Sequence, residues 1–397
     1  MEFAPWPSFS DDEIRAAVNV LKSGKINQWT GGEVMAFEQA FARYVGTRHA
    51  IALANGSLAL DMVLAALDIG PGDEVVVTPR SFVASAACVA LRGATPVFVD
   101  VNPESQNITP ESISGGVTER TKAVIAVNLA GWPCDLKNIS SFCRQNKIFL
   151  IEDCAQAHGA EFQGKKAGSF GDCAVFSFCQ DKIMTTGGEG GMLVTDNTEL
   201  WKKVWSFKDH GKDYDQTFSK NHGPGFRWLV NSFGTNGRMT EMQAAMGRVM
   251  LGKLDNWVEK RRAHADMLTR GFENTMGLRV TVPPPKVYHS YYKYYVFVNQ
   301  DQLQAPWNRD RIIDHLNMAG VPCQTGSCPE IYRERAFENR PCRLAGAMTD
   351  HTGKAFLPVA RHLGDTSIMF MVHPTLSPAA VQYVVDQVNQ IMKQAVR

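Results

Sequence analysis

The chain has 397 residues, of which 44% are hydrophobic and 20% are charged, and its 41 basic and 40 acidic residues leave a formal net charge of +1. This near-neutral balance argues against a general nucleic-acid-binding surface and against a surface for anionic membranes. The length exceeds one typical domain, so we expect a large and a smaller domain with a sizeable core.

The nine cysteines are scattered, odd in number and contain no Cys-x-x-Cys pair. This distribution argues against a disulfide framework and against a zinc site, and we expect no bound metal. The N-terminus carries no basic-then-apolar signal region, and no apolar run reaches the roughly 20 residues needed to cross a bilayer. We therefore expect a soluble, cytoplasmic protein with reduced thiols.

The N-terminal part has the pattern of two helices. Ser10 is followed by three acidic residues and then by apolar residues at helical spacing, which is typical of a helix start. Gly24 is expected to end this helix. A second helical pattern runs over residues 37–44 and stops before Gly46.

The central part alternates between short apolar segments and helical ones, the first helices being expected over residues 57–67 and 83–92. The seven predicted strands are residues 50–53, 74–78, 96–99, 122–127, 148–152, 174–178 and 191–195. Strands that alternate with helices predict an α/β fold, here a mostly parallel seven-stranded sheet with helices on both faces. In such sheets ligands bind beyond the carboxyl ends of the strands.

The C-terminal part predicts a smaller α+β domain after a break at three consecutive prolines that begin at Pro283. The expected elements are a polar stretch over residues 209–225, helices over 239–254, 309–319 and 379–394, and a strand over 291–299. The helix that ends at residue 254 closes the large domain. We therefore divide the chain into a large domain, residues 1–255, and a small domain, residues 256–397.

Lys182 is the main candidate for chemistry. It follows an apolar, strand-like segment and precedes a glycine-rich run, whereas most lysines lie at surfaces because their charge resists burial. A lysine amine can form an imine with an aldehyde and can shuttle a proton. Asp153 directly follows another strand, where a carboxylate either caps a helix or faces a bound ring. With hydrogen-bond donors nearby, these are the groups needed to hold pyridoxal phosphate.

The order of these motifs resembles the sugar aminotransferases of the DegT/DnrJ/EryC1/StrS family, a branch of the fold type I pyridoxal phosphate enzymes. The segments that carry the resemblance are residues 55–57 (Asn-Gly-Ser), 152–159 (Glu-Asp-Cys-Ala-Gln-Ala-His-Gly), 176–182 (Phe-Ser-Phe-Cys-Gln-Asp-Lys) and 234–239 (Gly-Thr-Asn-Gly-Arg-Met). It implies a fold type I transferase in which Lys182 forms the Schiff base with pyridoxal 5′-phosphate.

The same resemblance implies roles around the cofactor ring. Asp153 would face the ring nitrogen and Gln156 the 3′-oxygen, which makes Lys182 and Asp153 the catalytic pair. Phe82 lies where the family stacks an aromatic side chain on the ring, although an ordinary core phenylalanine is the competing interpretation. His158 has two interpretations of equal weight: a contact in the site, or a hydrogen-bonded histidine beside it.

Three residues are expected at the cofactor phosphate. Gly56 and Ser57 open a predicted helix, where free backbone N–H groups and the helix dipole favour an anion. This motif is weak alone, since ordinary helix starts look the same, and its match to the family's phosphate segment strengthens it. Ser177 would add a hydroxyl donor.

Asn236 implies an oligomer. In the family, the asparagine of this segment reaches the cofactor phosphate of the neighbouring subunit, so the resemblance implies a homodimer with shared active sites. Gly237 departs from the family pattern, because relatives often carry an aromatic residue there. The departure puts local substrate contacts in doubt, not the cofactor.

Substrate residues are less clearly marked. The aromatic run over residues 288–295 fits a strand with alternating faces, and family members carry similar text near the nucleotide-sugar entrance. Tyr291 is therefore a substrate candidate. Arg80, Arg227 and Lys293 are cations that could meet a diphosphate, although a surface position is the simpler interpretation of each.

The function implied is transfer of an amino group from L-glutamate to a nucleotide-linked keto-sugar through a pyridoxamine phosphate intermediate. The Thr-Thr-Gly-Gly-Glu-Gly-Gly text from Thr185 is similar to that of members acting on 4-keto-6-deoxy sugars, such as perosamine synthases. A 3-keto-sugar or a cyclitol of the scyllo-inosose type remains an alternative. An alternative from another functional class is a regulator that binds pyridoxal phosphate without turnover, and the intact Lys182 disfavours it. Lys182 likewise disfavours the family subgroup that lacks this lysine and removes a C3 hydroxyl.

Overall fold

The computed structural model describes residues 1–219 and 227–397 of the chain. Its largest sheet has eight strands, in the order His49–Leu53, Gly191–Thr195, Cys173–Ser177, Phe149–Asp153, Thr121–Val127, Glu74–Val77, Thr95–Val99 and Arg343–Ala345. Only Gly191–Thr195 runs antiparallel to its neighbours. The α/β prediction is therefore confirmed.

The sheet has one strand more than the predicted seven. All seven predicted strands form, and the eighth is the three-residue segment Arg343–Ala345, which pairs in parallel with Thr95–Val99. This edge strand comes from the C-terminal part of the chain. A segment of three half-buried residues has no apolar alternation long enough to mark it in the sequence.

Thirteen α-helices are found in the described residues. They are Asp11–Ser23, Glu33–Val45, Gly56–Ala66, Ala84–Leu91, Pro110–Ser114, Leu136–Gln145, Thr198–Lys208, Tyr214–Phe218, Glu241–Leu251, Leu254–Phe272, Arg309–Met318, Pro358–Thr366 and Pro378–Ala395. Within the predicted polar stretch, residues 220–225 lie outside the described residues. No helix in the described ranges is long and apolar enough to cross a membrane.

The predicted start and end of the first helix are confirmed. Ser10 and Glu13 form a reciprocal capping box, in which the Glu13 carboxylate accepts a hydrogen bond from the Ser10 amide. Gly24 ends the helix with φ +68°, a left-handed conformation that glycine adopts without strain.

The predicted helix over residues 239–254 is two helices. Glu241–Leu251 begins after a Thr240–Gln243 capping box and ends at Gly252, and Leu254–Phe272 follows directly. The second helix contributes to both apolar cores of the molecule: Val258 packs in the core around the large sheet, and Leu268 packs in the second core. A domain boundary at residues 255 and 256 stays a prediction.

The second core surrounds a four-stranded antiparallel sheet, in the order Leu278–Val280, Tyr294–Val298, Ser367–Phe370 and Cys323–Gln324. Three shorter strands form a separate sheet, in the order Val287–Tyr288, Glu161–Phe162 and Lys165–Lys166. Met348–Thr349 pairs with Ala355–Phe356. The C-terminal third also contributes Ile331 and Leu357 to the first core.

The strands expected over residues 288–295 and 291–299 are wrong for residues 289–293. Strand structure ends at Tyr288 and resumes at Tyr294. Between them Tyr291 has φ +47°, and its amide donates to Nδ1 of His289. The Tyr292 amide donates instead to the carbonyl of Ala130, in the connection that follows the strand Thr121–Val127, at 2.8 Å. A tertiary contact thus replaces the strand ladder that β-propensity favoured.

Candidate active site

The carboxyl ends of three parallel strands meet at one edge of the large sheet. Asp153 pairs in register with Val175, and Ser177 pairs with Gly191 on the next strand. A Cβ atom built on Gly191 would lie 2.5 Å from the backbone of Asn55, which follows the strand His49–Leu53. The sheet therefore brings the acid, a serine hydroxyl and the start of a helix to one place.

Asp153 is buried and held by two hydrogen bonds. One carboxylate oxygen accepts from Ser85 Oγ at 2.8 Å and the other from the Ala155 amide at 3.1 Å. Burial raises the pKa of Asp153, opposed by those two donors and the positive charge of Lys182. Glu152 points to the opposite side of the strand, where it accepts three backbone N–H bonds.

Gln156 and His158 lie in the turn after Asp153, and both are buried. The Gln156 side-chain oxygen accepts from the Ala130 amide at 2.8 Å. The His158 ring packs between Phe176 and Phe178, with ring centroids 5.4 and 5.6 Å away. Burial, with the charges of Lys182 and Arg261, lowers the pKa of His158 to about 3. The imidazole is therefore neutral at physiological pH.

Gly56 is the first residue of the helix Gly56–Ala66 and approaches Ser177 closely. A Cβ atom on Gly56 would lie 2.9 Å from Ser177 Cβ, so only glycine lets the helix start pack against that strand end. The Asn55 side chain caps the helix by accepting from the Leu58 amide at 2.8 Å. Ser57 is exposed. Backbone N–H groups and two hydroxyls thus surround a helix N-terminus, the arrangement that binds phosphate.

Lys182 lies in a half-enclosed position, with 15% of its side chain exposed. Its Nζ is 3.4 Å from Tyr292 Oη and 3.6 Å from Asp181 Oδ1. The Tyr292 hydroxyl donates a short hydrogen bond to Asp181. The Lys182 carbonyl accepts from Trp6 Nε1 at 2.8 Å, which fixes the lysine backbone.

Phe82 is 66% exposed and is therefore not a core phenylalanine. Its carbonyl accepts from the Ser85 amide at 3.3 Å, and Ser85 in turn bonds the Asp153 carboxylate. Phe82 thus lies one turn before the serine that bonds the acid, and its stacking role stays a prediction.

The surface position expected for Arg80 is wrong. Arg80 is fully buried, with Nε donating to Gln106 at 2.8 Å and a terminal nitrogen donating to Ser367 Oγ at 3.1 Å. Because Ser367 opens a strand of the second sheet, this arginine links the two apolar bodies. The geometry gives no support to a diphosphate contact.

Arg227 and Asn236 are both exposed, and the residue after Asn236 accepts a hydrogen bond at its carbonyl from the Ala54 amide, two residues before Gly56. Arg227 is exposed and directly follows the undescribed segment. Asn236 is also exposed, and its side-chain oxygen accepts from the Arg238 amide at 3.4 Å. A Cβ atom on Gly237 would lie 2.3 Å from the Met62 terminal methyl and 3.0 Å from a Leu58 methyl, so a larger residue here would require those two flexible side chains to move.

Tyr291 and Lys293 flank Tyr292. The Tyr291 ring stacks on His289, with centroids 3.8 Å apart. Lys293 Nζ lies 4.7 Å from the centroid of the Tyr292 ring and 3.0 Å from Met371 Sδ. Burial, together with the charges of Arg261 and Lys182, lowers the pKa of Lys293 to about 8, although Asp181 opposes the shift.

The sequence interpretation missed four residues of this site: Trp6, Ser85, Asp181 and Tyr292. Asp181 directly precedes the lysine, and Tyr292 stands inside the aromatic run between the two residues that were chosen. The run was interpreted as a strand, in which neighbouring side chains point to opposite faces of the sheet. Tyr292 was therefore placed on the face opposite Tyr291 and Lys293 and was not chosen. Trp6 and Ser85 carried no local signal.

The residues at this edge fit pyridoxal phosphate. A buried carboxylate is available for the ring nitrogen, and a largely buried amine is available for the aldehyde. The close Gly56–Ser177 approach forms a cradle at a helix N-terminus for the phosphate. When bound, the cofactor supplies an electron sink for bonds broken at an amino acid's α-carbon.

Comparisons with known proteins agree with this geometry. The profile of the DegT/DnrJ/EryC1/StrS aminotransferase family matches residues 7–389. The crystal structure of an aminotransferase from Psychrobacter cryohalolentis superposes with a TM-score of 0.93, at 47% identity and 99% coverage of both chains.

Two relatives by sequence carry more specific names. The GDP-perosamine synthase of Caulobacter vibrioides is 38% identical over 364 residues, 91% of each chain. The dTDP-3-amino-3,6-dideoxy-alpha-D-galactopyranose transaminase of Aneurinibacillus thermoaerophilus is 31% identical over 383 residues, 95% of each chain. The chain therefore belongs to the DegT/DnrJ/EryC1/StrS family and is a pyridoxal phosphate-dependent sugar aminotransferase.

Proposed function

We propose that this enzyme moves an amino group from L-glutamate to C4 of a nucleotide-linked 4-keto-6-deoxyhexose. The observation that carries the transfer chemistry is the position of the Lys182 amine at the sheet edge that also holds Asp153. Lys182 anchors the cofactor and moves the proton at the substrate's α-carbon. Asp153, with Gln156 beside it, holds the ring, and Gly56, Ser57 and Ser177 hold the phosphate.

The turn after the lysine supports 4-amination. The Gly188 amide donates to Thr185 Oγ1, and Thr186 Oγ1 donates to the Glu189 carbonyl, so the two threonines organise the glycine-rich segment beside the site. The sequence of this segment is similar to that of perosamine synthases, and a relative of that name is 38% identical to this chain. The relative named for a 3-amino sugar keeps 3-amination as the second candidate.

We also propose a homodimer in the cytoplasm, with Asn236 reaching the partner's cofactor phosphate. Three apolar side chains of the first helix, Ile14, Val18 and Leu21, are 51%, 37% and 54% exposed, which suits a face covered by a second copy. All nine cysteines are free thiols, in keeping with a reducing compartment.

The first test is an absorbance titration of the purified protein with pyridoxal phosphate, followed by L-glutamate. We expect a visible band from the lysine-bound cofactor that moves to the near ultraviolet when glutamate donates its amine. A band that ignores glutamate would favour another donor or a regulator without turnover. No band at all would refute the lysine assignment.

The second test identifies the acceptor. The glutamate-treated enzyme is mixed with matched nucleotide-linked 4-keto-6-deoxy and 3-keto-6-deoxy sugars and with scyllo-inosose, and products are identified by mass and NMR. Return of the visible band with the 4-keto sugar alone supports 4-amination. Return only with the 3-keto sugar or the cyclitol would overturn it.

The shared-site dimer is tested by mixing subunits. If each site joins Lys182 of one chain with Asn236 of the other, a mixed dimer of Lys182→Ala and Asn236→Ala chains contains one intact site. Activity should then exceed that of either parent, with about half the wild-type activity per mixed dimer. A mixture that stays as inactive as its parents would contradict site sharing.

A further inference from the structure

Tyr292 contacts two adjacent charged groups, Asp181 and Lys182, from a different loop. Its hydroxyl donates to the Asp181 carboxylate and lies 3.4 Å from the Lys182 amine, whose Nζ is also 4.9 Å from the centroid of the Tyr292 ring. Asp181 and Lys182 are adjacent in the chain, whereas Tyr292 comes 110 residues later. The amine thus has two oxygen partners that only the folded chain brings together.

The position of Tyr292 is fixed from three sides. Its amide donates to the Ala130 carbonyl at 2.8 Å, and its carbonyl accepts from Arg261 at 3.3 Å. Lys293 lies over the ring at 4.7 Å from the centroid, a favourable position for a cation on an aromatic face. The hydroxyl is therefore presented by a rigid support rather than by a freely rotating side chain.

The protonation states give each group one role. Burial and the neighbouring Asp181 raise the pKa of the Tyr292 phenol, so it keeps its proton and donates a hydrogen bond to Asp181. Burial alone would raise the pKa of Asp181, but Lys182, Tyr292 and Lys293 outweigh it and lower that pKa. The carboxylate is consequently charged, and the Tyr292 oxygen lies 3.4 Å from the Lys182 Nζ.

We propose that Asp181 and Tyr292 are positioning residues that hold the Lys182 amine whenever it is not covalently linked to the cofactor. The proposal rests on the proposed function, which requires the amine to leave the cofactor and to return with correct orientation in each cycle. A lysine without such partners would lose rotamer freedom at every return. The Asp181–Tyr292 pair supplies an orientation in advance.

A purely stabilising ion pair explains the arrangement less well. The Asp181 side chain is 55% exposed, and ion pairs at that exposure contribute little to stability. The charged and titratable groups that face Lys182 are Asp181, Tyr292, Lys293, His158 and Asp153. Among residues 1–219 and 227–397, only Asp181 and Tyr292 make a polar contact with its Nζ, so removing them should change the amine itself.

The test measures the Lys182 amine without catalysis. The cofactor-free, full-length protein is treated with formaldehyde and cyanoborohydride, a small probe that reacts with neutral amines, and methylation of Lys182 is followed by peptide mass spectrometry against pH. Asp181→Asn removes the charge that stabilises the ammonium form. We expect methylation of Lys182 roughly threefold to tenfold faster at pH 7.

Tyr292→Phe keeps the ring and removes the hydroxyl, so we expect a roughly threefold change in the same direction. In the cofactor-loaded enzyme both variants should slow single-turnover amine transfer from glutamate about tenfold, with little change in KM. Matched controls are Tyr294→Phe, whose hydroxyl contacts Thr269 in the second core, and Asp386→Asn on the C-terminal helix. Thermal melts confirm that each variant folds.

The outcomes separate this inference from the proposed function. Wild-type methylation profiles and transfer rates in both variants would overturn the positioning role, even if the wild-type enzyme transaminates. A wild-type enzyme that binds pyridoxal phosphate but ignores every amino donor would refute the proposed function instead. Accelerated methylation with slowed transfer, absent in the two controls, supports the role of both residues.

Discussion

The two sides of the site are built differently. On the acid side, Asp153 and Gln156 lie in one turn after one strand, and each is buried and hydrogen-bonded to a neighbouring connection. On the lysine side, Lys182 and Asp181 meet Tyr292, which follows 110 residues later. The acid side therefore follows from a single strand end, whereas the lysine side depends on a loop far along the chain that packs Tyr292 into the core around the large sheet.

This difference indicates which contacts in the site should tolerate substitutions elsewhere in the chain. A strand end is held by its ladder, so the acid side should survive substitutions elsewhere in the chain. The lysine side needs the loop of residues 289–293 to sit on Ala130 and Gly131, where a Cβ atom on Gly131 would lie 2.5 Å from Ser290 Oγ. The two sides meet at Ala130, whose amide donates to Gln156 and whose carbonyl accepts from the Tyr292 amide.

The largest effect is expected from Lys182→Ala, which removes the anchor and the proton-transfer group together. We expect loss of the visible band and at least ~10³-fold slower amine transfer, since general acid–base groups commonly contribute that much. Spectra and single-turnover assays measure this. Appreciable turnover in the variant would contradict the assignment, and retained cofactor binding would show that the acid side works alone.

Asp153→Asn should come next, because it keeps the shape and removes the charge that faces the cofactor ring. We expect ~10²-fold slower transfer from glutamate with an almost unchanged melting temperature. Ser85→Ala is the matched comparison, since it deletes one hydrogen bond to the same carboxylate. Equal losses in both variants would mean that the position of Asp153, rather than its charge, matters.

Gly56→Ala tests the phosphate cradle. The new methyl would lie 2.9 Å from Ser177 Cβ, so the helix start must move away from the strand end. We expect cofactor affinity about tenfold weaker, measured by titration of the visible band. Gly70→Ala is the control, because its nearest neighbour is the Arg92 carbonyl at 3.7 Å. Unchanged affinity in Gly56→Ala would place the phosphate elsewhere.

The smallest effect concerns the pH dependence of stability on the lysine side. The pKa of Lys293 is about 8 in the folded chain and 10.5 without perturbation. Burial of the charged amine therefore lowers the free energy of unfolding by its full amount below pH 8, and this loss of stability decreases progressively up to pH 10.5. Lys293→Met should therefore stabilise the fold by roughly 1–3 kcal/mol at pH 7, with a smaller gain at pH 10.

Denaturant melts at several pH values measure this gain. The exposed Lys354→Met is the control and should show no such trend. A gain that is constant from pH 7 to 10 would show that lost packing or solvation, rather than the Lys293 charge, sets the difference.

The sequence by itself determined the elements with strong local patterns. The seven longer strands of the large sheet, the first helix with its Ser10–Glu13 capping box, and the strand ends that carry Asp153 and Ser177 are all confirmed. Local propensity, caps and apolar periodicity are properties of neighbouring residues, so they are legible in the chain. The motif text around Lys182 likewise identified the family before any geometry.

Only the tertiary structure decided the features that depend on distant partners. The eighth strand exists because Thr95–Val99 offers it an edge, and residues 289–293 leave the strand conformation because Ala130 and Gly131 accept them. Arg80 is buried with two of its guanidinium nitrogens donating to Gln106 and Ser367, contacts that charge counting along the chain cannot reveal. Contacts between distant segments arise from packing of whole elements, and no local pattern encodes them.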